Sequence, residues 1–103
     1  MIRVSVLYPD TPGGRFDIDY YRNQHLSLVK ARCGSALKRA EVEKGLGGFP
    51  PGEPAPYRAI GHLTFESMQT MNDSFVRHLS EFIADLPNFT DLPPKVQISE
   101  VVS

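Results

Sequence analysis

The chain has 103 residues, 41% hydrophobic and 22% charged, with eleven Lys and Arg against twelve Asp and Glu and a formal net charge of -1. That size suits one domain spanning residues 1–103, built on one core with a sheet and a helical layer, and the balance argues against disorder. The cations are scattered and give no basic stripe for phosphates, so nucleic acid is not an expected partner.

No run approaches the roughly 18 apolar residues of a membrane span, so no membrane partner is expected. The first strand begins at the initiator Met without a charged leader, and a cytoplasmic protein is expected. The single Cys33 excludes an intrachain disulfide and any Cys-pair metal site, and is expected to be a small buried hydrophobe near a helix end.

Residues 2 to 8, "IRVSVLY", alternate Ile2, Val4, Val6 and Tyr8 against Arg3, Ser5 and Leu7, the period of a strand. "PDTPGG" then marks a turn. Ile18, Tyr21, His25, Leu28 and Val29 recur at helical spacing, which predicts a helix from about Asp17 to Arg32, with Asp17 favouring its positive end and Gly34 near its C-cap. Residues 36 to 44, "ALKRAEVEK", read as an exposed or edge strand, although their composition would also serve a helix.

"GLGGFPPGEPAP" has four glycines and four prolines and is a loop. "YRAIGHLTFE" follows as a strand with Tyr57, Ala59, Gly61, Leu63 and Phe65 on one face, Gly61 leaving room for another group to approach. Ser67 is the expected N-cap of a second helix whose Met68, Met71, Phe75, Leu79, Phe82, Ile83 and Leu86 form an apolar stripe, ended by Pro87. "KVQISEVV" supplies a last strand.

The order β-α-β-β-α-β matches the ferredoxin-like α+β fold, a four-stranded antiparallel sheet with two helices on one face. Its second face carries Leu7, Ile60 and Val101, and covering it by pairing two sheets predicts a homodimer.

Tyr21 and His25 lie one helical turn apart, with Asp17 a further turn back. Such a row can work as an acid or base at His25, with Tyr21 donating to a developing oxyanion. The same two residues can equally be amphipathic side chains at a core margin. His62 in a strand and His78 in the second helix lack the short-range pairing of a metal site, and no metal is expected. "ADLPNFTDLPP" reads either as a capped connection or as a segment in which Asp85 orients a histidine while Asn88 and Phe89 border a pocket.

"YPDTPGGRFDIDYYRNQHLSLV", "PYRAIGHLTFES", "ADLPNFTD" and "VQISEV" together resemble the EthD family of the dimeric α+β barrel superfamily, named for a role in degrading ethyl tert-butyl ether. The most specific parts are Phe16, Asp17, Tyr20, Tyr21 and His25, and Asp85, Pro87, Asn88, Phe89, Thr90 and Asp91. Where many relatives have a proline in an "H-x-P-L" turn, this chain has Ser27, which predicts a helix without that irregularity and leaves the assignment of His25 intact.

The resemblance implies two subunits whose sheets meet, each with its own pocket between sheet and helices. Pockets of the superfamily serve cofactor-independent quinol monooxygenases, muconolactone-type isomerases, polyketide cyclases and, in distant branches, haem proteins. A small enzyme without a cofactor is therefore expected, acting by oxygenation or proton transfer on an apolar, oxygen-bearing compound in degradation or secondary metabolism. His25, Tyr21, His78 and Asp85 are the candidate catalytic residues, with Tyr20 a flanking, structural tyrosine. Tyr8, His62, Phe65, Asn88 and Phe89 are the candidates for contact with the substrate. A protein that carries a hydrophobic intermediate or serves a partner oxidase without converting anything is the alternative. A structural dimer with a filled core is a third reading, and it predicts no cavity.

Overall fold

Alternation places Val4, Val6 and Tyr8 on one side of the first strand, and the whole architecture follows from burying that side. In the computed structural model, which describes residues 1–103, the chain runs β1 (Ile2–Pro9), helix α1 (residues 18–33), β2 (Leu37–Lys44), β3 (Tyr57–Phe65), helix α2 (residues 68–88) and β4 (Lys95–Glu100). The strands form one antiparallel sheet in the order β2-β3-β1-β4, as the ferredoxin-like reading requires. β2 is an edge strand, as its charged composition suggests. No helix is long and apolar enough to cross a membrane.

The helices pack on the face of Val4, Leu63 and Phe65, where Val29 and Cys33 of α1 meet Met71, Phe75 and Phe82 of α2. Cys33 is buried at the C-terminal end of α1. A second cluster at the other end of the sheet joins Tyr8, Ala59 and Tyr21 to Phe89 and Leu92. Burying such side chains contributes roughly 1.5–3 kcal/mol each for the large ones, so the two clusters set the packing of helices on sheet.

The opposite face of the sheet carries Ser5, Leu7, Ile60, His62 and Thr64 and points away from both helices. Arg3 and Thr64 pair across β1 and β3, and the Arg3 Nε and Thr64 Oγ1 atoms are buried without a hydrogen-bond partner.

Asp17 is the N-cap of α1, its carboxylate accepting from the Tyr20 N–H at 3.0 Å, so it serves the helix end and does not extend the Tyr21–His25 row. Gly34 ends α1 at φ 56, a backbone conformation that favours glycine. The irregularity that Ser27 was expected to remove is present. Residues Tyr21–His25 form a π-turn in which the Leu26 N–H reaches the Tyr21 carbonyl, and the Ser27 hydroxyl donates to the carbonyl of Asn23 within the wider turn.

Ser67 caps α2 through a reciprocal pair with Thr70, at 3.2 and 3.1 Å. Beyond it α2 is less regular than a single stripe predicts. Met68–Ser74 and Leu79–Asp85 are α-helical, Val76–His78 is a 3-10 turn between them, and Pro87 sits inside a closing 3-10 turn, Leu86–Asn88. The break rotates the second half, where Phe82 is buried and Ile83 exposed; Met68, in the first turn of α2, is exposed as well.

Gly61 does leave room for another group, and the group is the Tyr21 side chain, whose hydroxyl occupies the space where a Cβ at residue 61 would be. Gly61→Ala is expected to destabilise the protein by about 1–3 kcal/mol. Adding Tyr21→Phe to it should recover at least half of that loss in a urea-melt double-mutant cycle. Additive losses would show that the hydroxyl is not the obstacle.

Candidate functional site

The site is built where two separate stretches of chain are laced together. Phe16 pairs with Thr90 as an isolated β-bridge, the Asp17 N–H donates to the Phe89 carbonyl at 2.8 Å, and the Arg15 N–H donates to Asp91 Oδ1 at 2.7 Å. The Arg15 guanidinium reaches the Pro87 carbonyl at 2.7 Å, and the Thr90 hydroxyl donates to the Arg15 carbonyl at 2.8 Å. These bonds hold the end of α2 against the start of α1.

Asp85 is the last residue of the Leu79–Asp85 segment, and its side chain is only 14% exposed. Its Oδ2 faces His25 Nδ1 at 2.8 Å, while Oδ1 accepts from the Tyr20 hydroxyl at 2.7 Å and from the Asn88 amide at 2.8 Å. Burial pushes the carboxyl up, but the hydrogen bonds from Asn88, His25 and Tyr20 outweigh it and hold the group below its usual range. An ionised carboxylate only accepts, so the His25 proton sits on Nδ1 and Nε2 carries the free lone pair. Burial, offset in part by Asp85, pushes the imidazole below its ordinary value of 6.5. His25 is therefore a neutral base of fixed tautomer near pH 7.

The π-turn explains why one carboxylate can meet both Tyr20 and His25. Residues five apart lie about 140° apart around an α-helix. In a turn closed by bonds to the fifth residue back, they come onto one side.

Around this network the aromatic rings interlock. Phe89 is fully buried and stacks on Tyr21 at 5.2 Å between centroids and on Tyr20 at 5.8 Å, with His25 tilted against it at 4.7 Å. Tyr21 also stacks on His25 at 5.5 Å and meets Tyr8 edge-on at 5.3 Å. Burial pushes the Tyr21 phenol up to about 12, an effect that Tyr8 reduces, and burial pushes Tyr8 well above its usual value. Both stay protonated donors at any ordinary pH.

Beside His25 lies a cavity of about 70 Å³ between the sheet and the helices, several times the space that one water needs. Val6, Tyr8, Leu63 and Val96 line it from the sheet, Tyr21, His25, Leu26 and Val29 from α1, and Phe75, Leu79, Phe82, Ile83 and Leu86 from α2. Pro94 completes the wall, and Ile83 and Val96 are more than half exposed at its rim. A filled core is thereby ruled out as a description of this chain. No group of three or more His, Cys, Asp or Glu side chains is arranged to hold a metal ion.

Of the residues singled out from the sequence, Tyr8, Tyr21 and His25 line the cavity, and Asp85, Asn88 and Phe89 support it from behind. The other three lie elsewhere. Phe65 is fully buried in the first core cluster, because its strand position turns it toward Phe75. His62 is on the opposite sheet face, between the Ser5 hydroxyl at 3.1 Å and Glu43 at 3.3 Å. His78 bonds Glu81 at 3.0 Å in the 3-10 turn of α2, outside the cavity lining. Tyr20, read from the sequence as structural, is bonded to the central carboxylate. Its signal was the position of its hydroxyl within the F-D-x-x-Y-Y pattern, and α-helical periodicity hid it.

A family model for the EthD domain matches residues 15–93, which include both laced stretches. An EthD-like protein of Ralstonia eutropha JMP134 is 42% identical, with 99% of this chain and 92% of that one covered at a TM-score of 0.92. An ethyl tert-butyl ether degradation (EthD) family protein of Bacillus halodurans C-125 has the same fold at 17% identity, with 99% of each chain covered and a TM-score of 0.74. So does an Arabidopsis thaliana protein at 16% identity, with 100% of this chain and 97% of that one covered and a TM-score of 0.69. No curated protein matches the chain.

The lowered pKa values of His25 and Asp85 fix how stability depends on pH. The unfolded chain binds more protons than the folded one between each folded value and the ordinary one, so stability rises with pH across both windows. It is expected to be complete above about 6.5, to fall as His25 is protonated below that, and to fall again below about 3.8 as Asp85 takes a proton. His25→Phe should flatten the first decline in urea melts at a series of pH values and, because it also removes one of the hydrogen bonds that hold Asp85 low, make the second shallower. An unchanged slope in the variant would mean that His25 is not the group responsible.

Proposed function

The chain belongs to the EthD family, and on that premise we propose that it is a small cofactor-independent enzyme that moves a proton on an apolar, oxygen-bearing organic compound. The observation that carries the reading is a neutral His25, fixed by Asp85, beside an apolar cavity. In the proposed step Nε2 of His25 removes a proton from the bound compound, and the electron pair left behind moves onto its oxygen. The Tyr21 hydroxyl donates to that oxygen, with Tyr8 beside it. Asp85 stabilises the imidazolium that forms, and Tyr20 and Asn88 hold Asp85 in place. Returning the proton to another carbon gives an isomer, and attack of the carbanion on a carbonyl carbon of the same compound, whose oxygen then takes the proton, closes a ring. Where molecular oxygen is the co-substrate, it takes the carbanion's electron pair and the imidazolium proton to give a hydroperoxide, which loses water to leave a carbonyl.

The outer sheet face supports a homodimer as part of the same proposal. Leu7 and Ile60 stand there half-buried, and a second sheet would cover both. A cytoplasmic location and a place in degradation or secondary metabolism belong to the reading as well. Carriage of a hydrophobic intermediate without conversion is the second reading, favoured by the predominance of apolar side chains around the cavity.

Two measurements test the proposal. With a panel of quinols and lactones, His25→Ala should lower turnover by at least 10²-fold and Tyr21→Phe by about tenfold. Binding without turnover by the unaltered protein would favour the carrier. Sedimentation should give a dimer that Ile60→Lys converts to a monomer, and a monomer at all concentrations would refute the sheet-to-sheet pairing.

A further inference from the structure

The charges around the cavity restrict its ligand more than its shape does. Twelve of its fourteen lining residues are hydrophobic, and none is Lys or Arg. The lining residues whose side chains have a polar group are Tyr8, Tyr21 and His25. Behind His25, within 2.8 Å of Nδ1, is the Asp85 carboxylate. Arg15 is bonded to the Pro87 carbonyl, Arg58 to Asp10 and Arg32 to Glu81. An anion entering the cavity would lose its water, gain no counter-ion and face a second negative charge through the imidazole.

We propose that the site selects uncharged ligands, namely small apolar enols, phenols or enolisable ketones with one oxygen acceptor, and rejects carboxylates and phosphates of the same shape. This rests on the cavity being the ligand site. Two phenolic donors and one imidazole acceptor match a ligand that presents an oxygen beside an acidic O–H or C–H.

The proton balance fits the same class. When that bond breaks, its electron pair is shared onto the ligand oxygen and its proton goes to Nε2, so a neutral pair becomes an anion and an imidazolium. The imidazolium then lies between the ligand anion and Asp85. The site thus reaches its greatest charge separation only during reaction, and an entering anion would meet Asp85 before any cation existed between them.

2-Naphthol and 2-naphthoate form a matched pair for the test. At about pH 7.5 the naphthol is uncharged and the naphthoate ionised. Binding is followed by naphthyl fluorescence and by the imidazole NMR signals of His25. The naphthol is expected to bind at least tenfold more tightly and to shift those signals. Val96→Arg, a substitution at the exposed rim, should raise naphthoate affinity at least fivefold. Equal or tighter naphthoate binding to the unaltered protein would overturn charge selection while leaving the cavity as a ligand site. No response to Val96→Arg would also overturn it, because the discrimination would then not be electrostatic. If neither compound shifts the His25 signals, the ligand site fails and this inference fails with it.

Discussion

A carboxylate at the C-terminal end of a helical segment is electrostatically misplaced, because the last carbonyls already present negative charge there. Asp85 occupies such a position and is mostly buried as well. It is stable there because three donors from two helical regions converge on its two oxygens. Removing one donor leaves a buried acceptor short of a partner, and removing Asp85 leaves three donors to be resatisfied, at a cost of roughly 1–3 kcal/mol for each group stranded. The orientation of His25, and with it the wall of the cavity beside His25, depends on this one group.

Convergence requires a helix that is not regular. The Tyr21–His25 π-turn brings Tyr20 round toward His25, and the Ser27 hydroxyl supplies a bond to the Asn23 carbonyl within that turn. The same irregularity lets the Tyr21 ring lie flat enough to stack on both His25 and Phe89 while its hydroxyl fills the space over Gly61. A side chain at residue 61 and a regular α1 would each displace Tyr21 from the cavity wall.

The sequence was most informative where one period governed a whole element. β1 and β3 alternate cleanly, Ser67 and Gly34 have the chemistry of helix ends, and the element order sufficed for the sheet topology. His25, Tyr21 and Asp85 were readable as candidates from residue type and family pattern. Phe65 was not distinguishable from them, since alternation says which strand residues share a face but not which end of that face has a cavity; His62 falls on the other face of β3 by the same alternation, which residue type alone had overridden. The structural role expected of Tyr20 could not be specified from the sequence for a related reason: its bond to Asp85 beside His25 depends on a π-turn, and nothing in an α-helical wheel puts residues 20 and 25 together. The exposed Ile83 lies beyond the 3-10 break at Val76–His78, which an uninterrupted apolar stripe does not announce.

The cavity lies where the two core clusters fail to meet. Phe75 and Phe82 close one side and Tyr8 and Tyr21 the other, while Ile83 stays exposed at the rim and does not fill the gap. β4 adds to the opening, since Val96 is on the helix-facing side of an edge strand that the helices leave largely uncovered. Packing that stopped short in this way leaves van der Waals contacts unmade on each wall, a loss that a bound apolar molecule would recover. The polar network therefore lies behind the cavity wall, where solvent and ligand exchange do not disturb it, and only the far side of the imidazole and the two phenols are left to meet what enters.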